Sequence, residues 1–301
     1  MIDITHKQIS LRTALATGKV ICRPETLKRI KDNTLPKGDL FNIAKAAGLL
    51  AGKNTHNLIP HCHPVSIDGM DISYEYIDNG VEILVEGKSI GRTGIEMEVL
   101  TACSVAALTI YDLLKPIDKE VVITDIKLKN KTGGKSEKKK DIDPSLTTAV
   151  LVCSDSTSKG EREDKSGKII KEMLENLGVN VSDYKIVSDD ADQIKNTIED
   201  WVKKDIAFIF TTGGTGLGPR DNTADVVRSM IEKEILGITE AMRFHGIMRT
   251  SHAMHSRSVS GSIKNTIVIT LPGSSRGARE SLDAILPGVF HGRKMLLGGG
   301  H

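Results

Sequence analysis

The sequence predicts two domains of different class, an α+β first half and an α/β three-layer second half with a mostly parallel sheet. Three observations carry this. The stretch Lys127-Leu-Lys-Asn-Lys-Thr-Gly-Gly-Lys-Ser-Glu-Lys-Lys-Lys140 loses apolar periodicity and fills with lysine, and Pro144 precedes a new apolar run, Ala149-Val-Leu-Val-Cys153, a linker signature. Before it, one hairpin is followed by one long helix; after it, strands alternate with single helices. The boundary falls near 138–147, giving domains 1–140 and 147–301, and 301 residues suit two ordinary domains.

In the first half Asp39 caps a helix to Gly52, with Leu40, Ile43, Ala44, Ala47 and Leu50 at helical spacing. Ile72–Ile77 alternates, turns at Asp78-Asn-Gly80, and alternates again through Val81, Ile83 and Val85, a hairpin pattern. Ile95–Lys115 is a long helix rich in Ala, Leu and Val, and Val121–Leu128 is a closing strand. A long helix after a hairpin makes an α+β sandwich rather than a doubly wound sheet.

The second half starts with strand Ala149–Cys153, a helix from Asp164 to Leu177 and strand Tyr184–Val187. Helix Ala191–Lys203, strand Ile206–Phe210, a glycine loop and helix Thr223–Lys233 follow. Strand Thr266–Leu271 precedes a last helical stretch to Met295. Such alternation implies a sheet covered on both faces, with ligands beyond the carboxyl ends of its strands. The informative loops are therefore 154–160, 188–190, 211–221 and 272–276.

Composition excludes several classes. Five Phe, four Tyr and one Trp are too few for a single-strand stacking platform, and a net charge of +2 does not suit a general nucleic-acid binder. No apolar run reaches the roughly 18 residues of a membrane span. The start, Met1-Ile-Asp-Ile-Thr-His6, has neither the basic end nor the apolar stretch of a signal peptide. The four cysteines form no CxxC pair and read as small hydrophobes in a reducing compartment. A cytoplasmic protein is expected. Residues 1–140 carry 21 Lys and Arg against 17 Asp and Glu, so the first half is the favoured home of an anionic ligand.

Lys37-Gly-Asp39 opens a helix whose free amides favour anions. His61 and His63 share a face in an extended segment, yet no distant paired cluster accompanies them, so acid/base or phosphate-binding roles fit better than a metal site. Asp112 and Lys115 are neighbours on the long helix. Leu108, Ile110, Tyr111, Leu113 and Leu114 flank the aspartate, which predicts a desolvated carboxylate answered by the lysine. Glu98 and Asp112 are 14 residues apart, about 21 Å along a helix. Either their roles differ or a second subunit completes the site.

The joint order of Arg12-x-Ala14-x-Ala16-x-Gly18, Lys37-Gly-Asp39, Ala51-x-Lys53-x-Thr55, Leu58-Ile-Pro-x-Cys62-His63-Pro64, Gly91-Arg-Thr-Gly-x-Glu96-Met97-Glu98, Ser104–Asp112 and Gly133-Gly-Lys135-Ser136 closely resembles the cyclic pyranopterin monophosphate synthase (MoaC) family. The resemblance spans residues 1 to about 137. It implies a ferredoxin-like fold, dimers grouped into a hexamer with sites between subunits, and a lyase that converts cyclised dihydro-GTP into cyclic pyranopterin monophosphate and pyrophosphate. It also implies that Arg12, Lys37, Lys53, His63, Lys115 and Lys135 surround triphosphate and purine, that Glu96, Met97 and Glu98 line the substrate together with His61 and Cys62, and that Asp112 and Lys115, with Lys37, are catalytic. A triphosphate needs several cations, and ring opening needs tuned proton donors and acceptors. The sequence departs at His61, where leucine is usual, at Asn57, where aspartate is common, and after Ser136.

In the second half Thr211-Thr212-Gly213-Gly214-Thr215-Gly216 follows an apolar strand and precedes Pro219-Arg-Asp221, a turn that lets amides approach a phosphate. It is neither a P-loop nor a dinucleotide fingerprint. Asp155, Asp189, Asp221 and Asp225 sit at separate element ends, and two or three could gather round Mg²⁺ and a nucleotide. With Ser154-Asp155-x(8)-Asp164-x-Ser-Gly167, Asp189-Asp190, Ser256-Arg257 and Leu271-Pro-Gly-Ser274, this resembles the molybdopterin adenylyltransferase (MogA/MoaB) family. The resemblance implies a commonly trimeric domain that transfers AMP from ATP to molybdopterin with Mg²⁺ held by Asp221 or Asp189. Thr212–Gly216, Asp225 and Ser274 would join the pterin and nucleotide contacts. No tightly bound organic cofactor is expected. Ala224-Asp225 stands where Pro-Glu is usual and Ser275 where proline is common. Two alternatives remain: a non-catalytic pterin-binding or assembly module, and a metal-dependent nucleotide hydrolase, which would hydrolyse GTP or ATP alone.

Overall fold

The computed structural model describes residues 1–134 and 142–299, so Lys135 and the lysine-rich linker lie outside the described residues. The chain divides into two compact units, Met1–Glu137 and Lys138–His301.

The first unit runs β1 (Ser10–Ile21), α1 (Pro24–Lys31), α2 (Leu40–Lys53), the single turn α3 (Thr55–Leu58), β2 (Gly69–Ile77), β3 (Gly80–Gly91), α4 (Glu96–Leu114) and β4 (Val122–Thr132). Its antiparallel sheet has the order β2-β3-β1-β4, the ferredoxin-like arrangement. The hairpin turns at Asp78-Asn79, with Gly80 opening β3, within the Asp78–Gly80 stretch the sequence predicts, and the Asp39 side chain accepts from the Asn42 N–H to cap α2. Strand β1 and helix α1 are additions to the sequence reading. The alternate positions Ala14, Ala16 and Gly18 of β1 are small because α4 lies against them: a Cβ at Gly18 would stand 2.9 Å from Cys103 Sγ. Small residues give little apolar contrast, so the period-2 signal is faint.

Helix α4 corrects a further expectation. It is long and apolar enough to cross a membrane by length and composition. Half of that stretch is buried, and Val99, Ala102, Cys103, Ala106, Ile110 and Leu114 join one core with Ile72, Val81, Ile83 and Val85 of the sheet. It is the central helix of this unit.

The second unit runs β5 (Thr147–Cys153), the turn α5 (Asp155–Ser158), α6 (Ser166–Glu175), β6 (Asn180–Val187), α7 (Ala191–Lys203), β7 (Phe208–Thr212) and α8 (Thr223–Met230). The two-residue β8 (Lys233–Glu234), α9 (Leu236–Ile247), β9 (Ser260–Ile263), β10 (Thr266–Leu271), α10 (Ser275–Ile285) and α11 (His291–Leu296) complete it. The sheet order is β6-β5-β7-β10-β9-β8; the first four strands are parallel, and β9 runs antiparallel to its neighbours. Alternation sorts each strand between two cores: Val150, Phe208 and Phe210 pack with α6, α9 and α10, while Ala149, Leu151 and Ile209 pack with α7 and α8. The chain moves from β5 to β6 on one side and returns to β7 on the other. A crevice therefore opens at the carboxyl ends of β5 and β7.

Close helix packing in the first unit is testable. A Cβ at Gly48 would lie 2.6 Å from Ile72 Cδ1 and 3.0 Å from the Ala102 carbonyl oxygen. Gly48→Ala should destabilise this unit by about 1–3 kcal/mol, read as a lower urea midpoint, because neither neighbour can yield without disturbing the core.

Candidate functional sites

In the first unit the expected residues collect at opposite ends of α4. At its carboxyl end Lys115 Nζ lies 2.6 Å from Asp112 Oδ1, and Lys37 Nζ donates to Asp112 Oδ2 at 3.3 Å and to its carbonyl at 3.1 Å. Hydrogen bonds from Lys115 and then Lys37, reinforced by their charges, hold the Asp112 carboxyl below the usual aspartate range. The expectation of a desolvated carboxylate is corrected here: its side chain is 55% exposed, because Ile110, Leu113 and Leu114 turn inward on the other face. The two lysines set this group's charge; burial does not.

The amino end of α4 holds different chemistry. Lys131 Nζ donates to Glu96 Oε1 at 3.0 Å. Burial raises Glu96, but its own backbone N–H, Lys131 and Arg12 outweigh it and hold the group low. Arg12 Nε donates to the Gly91 carbonyl at 3.4 Å. Gly133 and Gly134 have φ of +93° and +92° and pack on Arg12, where a Cβ at Gly134 would stand 2.1 Å from its Nη1. Met97 is exposed; Glu98 is 3% exposed and lies inside the unit. Lys53 ends α2 and is exposed, as is His61, while Cys62 is half-buried. His63 lines a cavity of about 530 Å³ with Ser66, Ser89, Gly91, Arg92 and Thr93. Lys135, expected beside Arg12, is outside the described residues.

In the second unit two cavities flank the glycine loop. The first, about 320 Å³, sits in the β5/β7 crevice and is lined by Thr212, Gly213 and Gly214, by Asp189 and Asp221, and by Ser274. Gly213 has φ +97°, and a Cβ there would stand 2.1 Å from the Cys153 carbonyl oxygen, so only glycine lets β5 and the loop approach. The loops are laced by carboxylates. The Asp155 N–H donates to Asp189 Oδ2 at 2.9 Å, the Asp189 N–H returns a bond to Asp155 Oδ1 at 3.1 Å, and Arg220 grips Asp155 at 2.8 Å. Asp221 Oδ2 accepts the Gly218 N–H at 2.7 Å. Burial above all pushes Asp189 up, with Asp155 and Asp221 adding repulsion against a backbone bond and Arg220.

The second cavity, about 270 Å³, takes Thr215 and Gly216 with Arg243, His252, His255 and Ser256, and shares Ser274 with the first. Asp225 faces neither; Arg257 holds it in an ion pair. Sequence reasoning missed Arg162, which lines the first cavity from an unspecified position of the 154–167 motif, and Arg243 and His252, because α9 and the turn after it carried no recognised pattern.

No group of three or more His, Cys, Asp or Glu that could hold a metal ion occurs among the described residues. Asp189 and Asp221 nevertheless fit Mg²⁺ as a pair: both face one cavity, and the charge of one raises the pKa of the other. Mg²⁺ typically takes one or two carboxylates plus substrate phosphates.

Comparison with known proteins accounts for both halves. Residues 1–134 match the model of the MoaC family, and residues 149–291 match one described as "Probable molybdopterin binding domain". A molybdenum cofactor biosynthesis bifunctional protein from Chlorobaculum tepidum is 40% identical over all of this chain and 96% of its own length. The chain belongs to the bifunctional molybdenum cofactor biosynthesis family. It therefore works in molybdenum cofactor biosynthesis, with a MoaC-type first half. A cyclic pyranopterin monophosphate synthase from a Thermoanaerobacter species is 46% identical over 45% of this chain and 87% of its own. A crystal structure of the molybdopterin biosynthesis enzyme MoaB from Thermus thermophilus covers 51% of this chain and 97% of its own, at 37% identity and a TM-score of 0.49.

The MoaC-type half permits a direct electrostatic test. Its depressed carboxyl keeps the Lys37–Asp112–Lys115 cluster intact above the Asp112 pKa, and the cluster is lost as pH falls through it. Lys115→Met should move the Asp112 midpoint upward, and Lys37→Met should do so by less. Carboxyl ¹³C titration by NMR checks both, and an unmoved midpoint rejects the assignment.

Proposed function

We propose that the first unit converts cyclised dihydro-GTP into cyclic pyranopterin monophosphate and pyrophosphate. The observation that carries this is the Lys37–Asp112–Lys115 cluster, an ionised carboxylate between two cations on an exposed helix end. Asp112 takes or returns a proton, while the lysines neutralise phosphate oxygens. Arg12, Lys131 and Glu96 form the complementary set at the other end of α4, with Glu96 about 24 Å from Asp112 along the helix. A homo-oligomer in which two copies bring opposite ends of α4 together makes one site from both sets. Leu108 and Tyr111, exposed beside Asp112, supply apolar surface for that contact.

The second unit binds molybdopterin and adenylylates it with Mg-ATP. Its support is the glycine loop between two cavities that share Ser274, one with the carboxylate pair Asp189 and Asp221 and one with Arg243 and His252. In this reading phosphates lie over the amides of Gly213 and Gly214, and the pterin occupies the neighbouring cavity. Joining two phosphates brings anions together, which the amides and Arg162 offset. Asp189 and Asp221 would hold Mg²⁺, which would supply positive charge against the phosphates. Asp225, tied to Arg257, supports the loop from outside. A non-catalytic pterin-binding module is the outcome if AMP is never transferred.

Two assays test these readings. Asp112→Asn and Lys37→Ala should each abolish cyclic pyranopterin formation in a protein that stays folded, and near-normal turnover in Asp112→Asn rejects the proton-transfer role. Asp221→Ala should retain pterin binding by fluorescence titration and lose adenylylated product at every Mg²⁺ concentration; full transfer without Asp221 rejects its role.

A further inference from the structure

The crevice at the carboxyl ends of β5 and β7 has a wall that the glycine loop does not supply. It is the segment between α5 and α6, whose Arg162, Glu163, Asp164 and Lys165 all line the cavity. The two anions among them are already answered. Lys168 Nζ donates to Glu163 Oε1 at 2.8 Å. Asp164 is buried; its Oδ1 accepts the Gly167 N–H at 2.8 Å, and its Oδ2 accepts from the Tyr184 hydroxyl on β6. That carboxylate fastens the segment to the start of α6 and to the sheet. A Cβ at Gly167 would stand 2.5 Å from Asp164 Oδ2 and 2.5 Å from Val152 Cγ2, so the start of α6 is seated tightly against β5.

The two cations are left over. Arg162 and Lys165 are exposed, and their charged groups make no hydrogen bond or salt bridge among the described residues; Lys165 acts on Glu163 by charge alone. A guanidinium and an ammonium on a fixed segment, in a cavity that also holds the amides of Gly213 and Gly214, suit a ligand with several phosphates. Taking the second unit as the adenylyltransferase, we propose that Arg162 and Lys165 hold the β- and γ-phosphates of ATP, the pyrophosphate that leaves.

The direction of the reaction favours the leaving group over the acceptor. Displacement at phosphorus is in line, so attacking and leaving oxygens lie on opposite sides of the α-phosphorus. The acceptor phosphate enters from the second cavity, which meets the crevice at Ser274 and is lined by neither cation. The leaving group therefore points away from Ser274 and into the crevice that Arg162 and Lys165 line. An acceptor phosphate oxygen forms the new bond to the α-phosphorus, the bond from that phosphorus to the bridging oxygen breaks, and pyrophosphate departs with the electron pair. Negative charge grows on the departing oxygens in that step, and two cations held there in advance offset it.

The experiment uses the full chain with Mg²⁺ and no molybdopterin, so that binding is read without transfer. Affinities for ATP and AMP, each carrying a methylanthraniloyl group on the ribose, are measured by fluorescence anisotropy in wild type, Arg162→Gln, Lys165→Gln and Lys171→Gln. Wild type should bind ATP more tightly than AMP. Arg162→Gln and Lys165→Gln should each weaken ATP about tenfold or more and leave AMP within about twofold, since each removes one charge-assisted bond to a phosphate that AMP lacks. Lys171→Gln removes a cation from α6 outside the cavity and should leave both unchanged. In the transfer assay the first two variants should raise KM for ATP and not for molybdopterin. An unchanged gap between ATP and AMP in Arg162→Gln and Lys165→Gln overturns the inference while adenylylation stands, as does an equal loss in Lys171→Gln. A rise in KM for molybdopterin alone moves the cations to the acceptor phosphate and also overturns it. A gap that closes in the two variants of a protein that transfers no AMP rejects adenylylation and keeps the phosphate site. A wild type that binds neither nucleotide rejects both.

Discussion

Helix α4 lies on its sheet and beside α2 at distances that only glycine and alanine allow. Gly18, Gly48 and Gly87 each leave no room for a Cβ, against Cys103, Ile72 and Val99 respectively. This approach holds a 19-residue helix as one rigid rod, and the rod carries functional groups at both ends. Its length separates the Asp112 cluster from Glu96 and Arg12, so a fold that keeps α4 straight cannot bring them together within one copy. Packing in the core thus dictates how the surface chemistry is shared out.

Close approach governs the second unit as well, through backbone rather than side chains. Gly213 leaves its loop against the Cys153 carbonyl, and a Cβ at Gly273 would stand 3.2 Å from the Cα of Gly213. Three strand ends therefore converge where amides and carboxylates face one crevice. Asp155 answers the arginine and backbone around it and leaves Asp189 as a carboxyl whose pKa is raised into the pocket. Four aspartates that look alike in sequence have three environments: laced by Arg220, turned to the crevice, or paired with Arg257.

The two units manage charge by opposite means. In the first, exposed lysines hold an exposed aspartate low, and its ionisation depends on partners that a ligand can recruit. In the second, burial raises a carboxyl that a cation would relieve. The first arrangement suits proton transfer beside phosphates, and the second suits assembling phosphates and a metal ion around one bond.

Much was legible from the sequence alone. Period-2 and period-3.6 patterns identified the hairpin, α2, α4 and the alternating second half, because bulky apolar residues face the core there. Lys37, Asp112 and Lys115 were readable as a group from motif order, and Thr211–Gly216 from a glycine run after a buried strand. Tertiary structure decided the remainder. Strand β1 stayed hidden because its contact with α4 demands Ala and Gly, which carry little hydrophobic contrast. The exposure of Asp112 depends on which face of α4 meets the sheet, and flanking residues do not reveal that. Glu96 and Glu98 read as a pair in sequence, yet the helix turns one to Lys131 and the other inward. Composition and periodicity determine which elements form; only their packing decides which side chains keep water and which lose it.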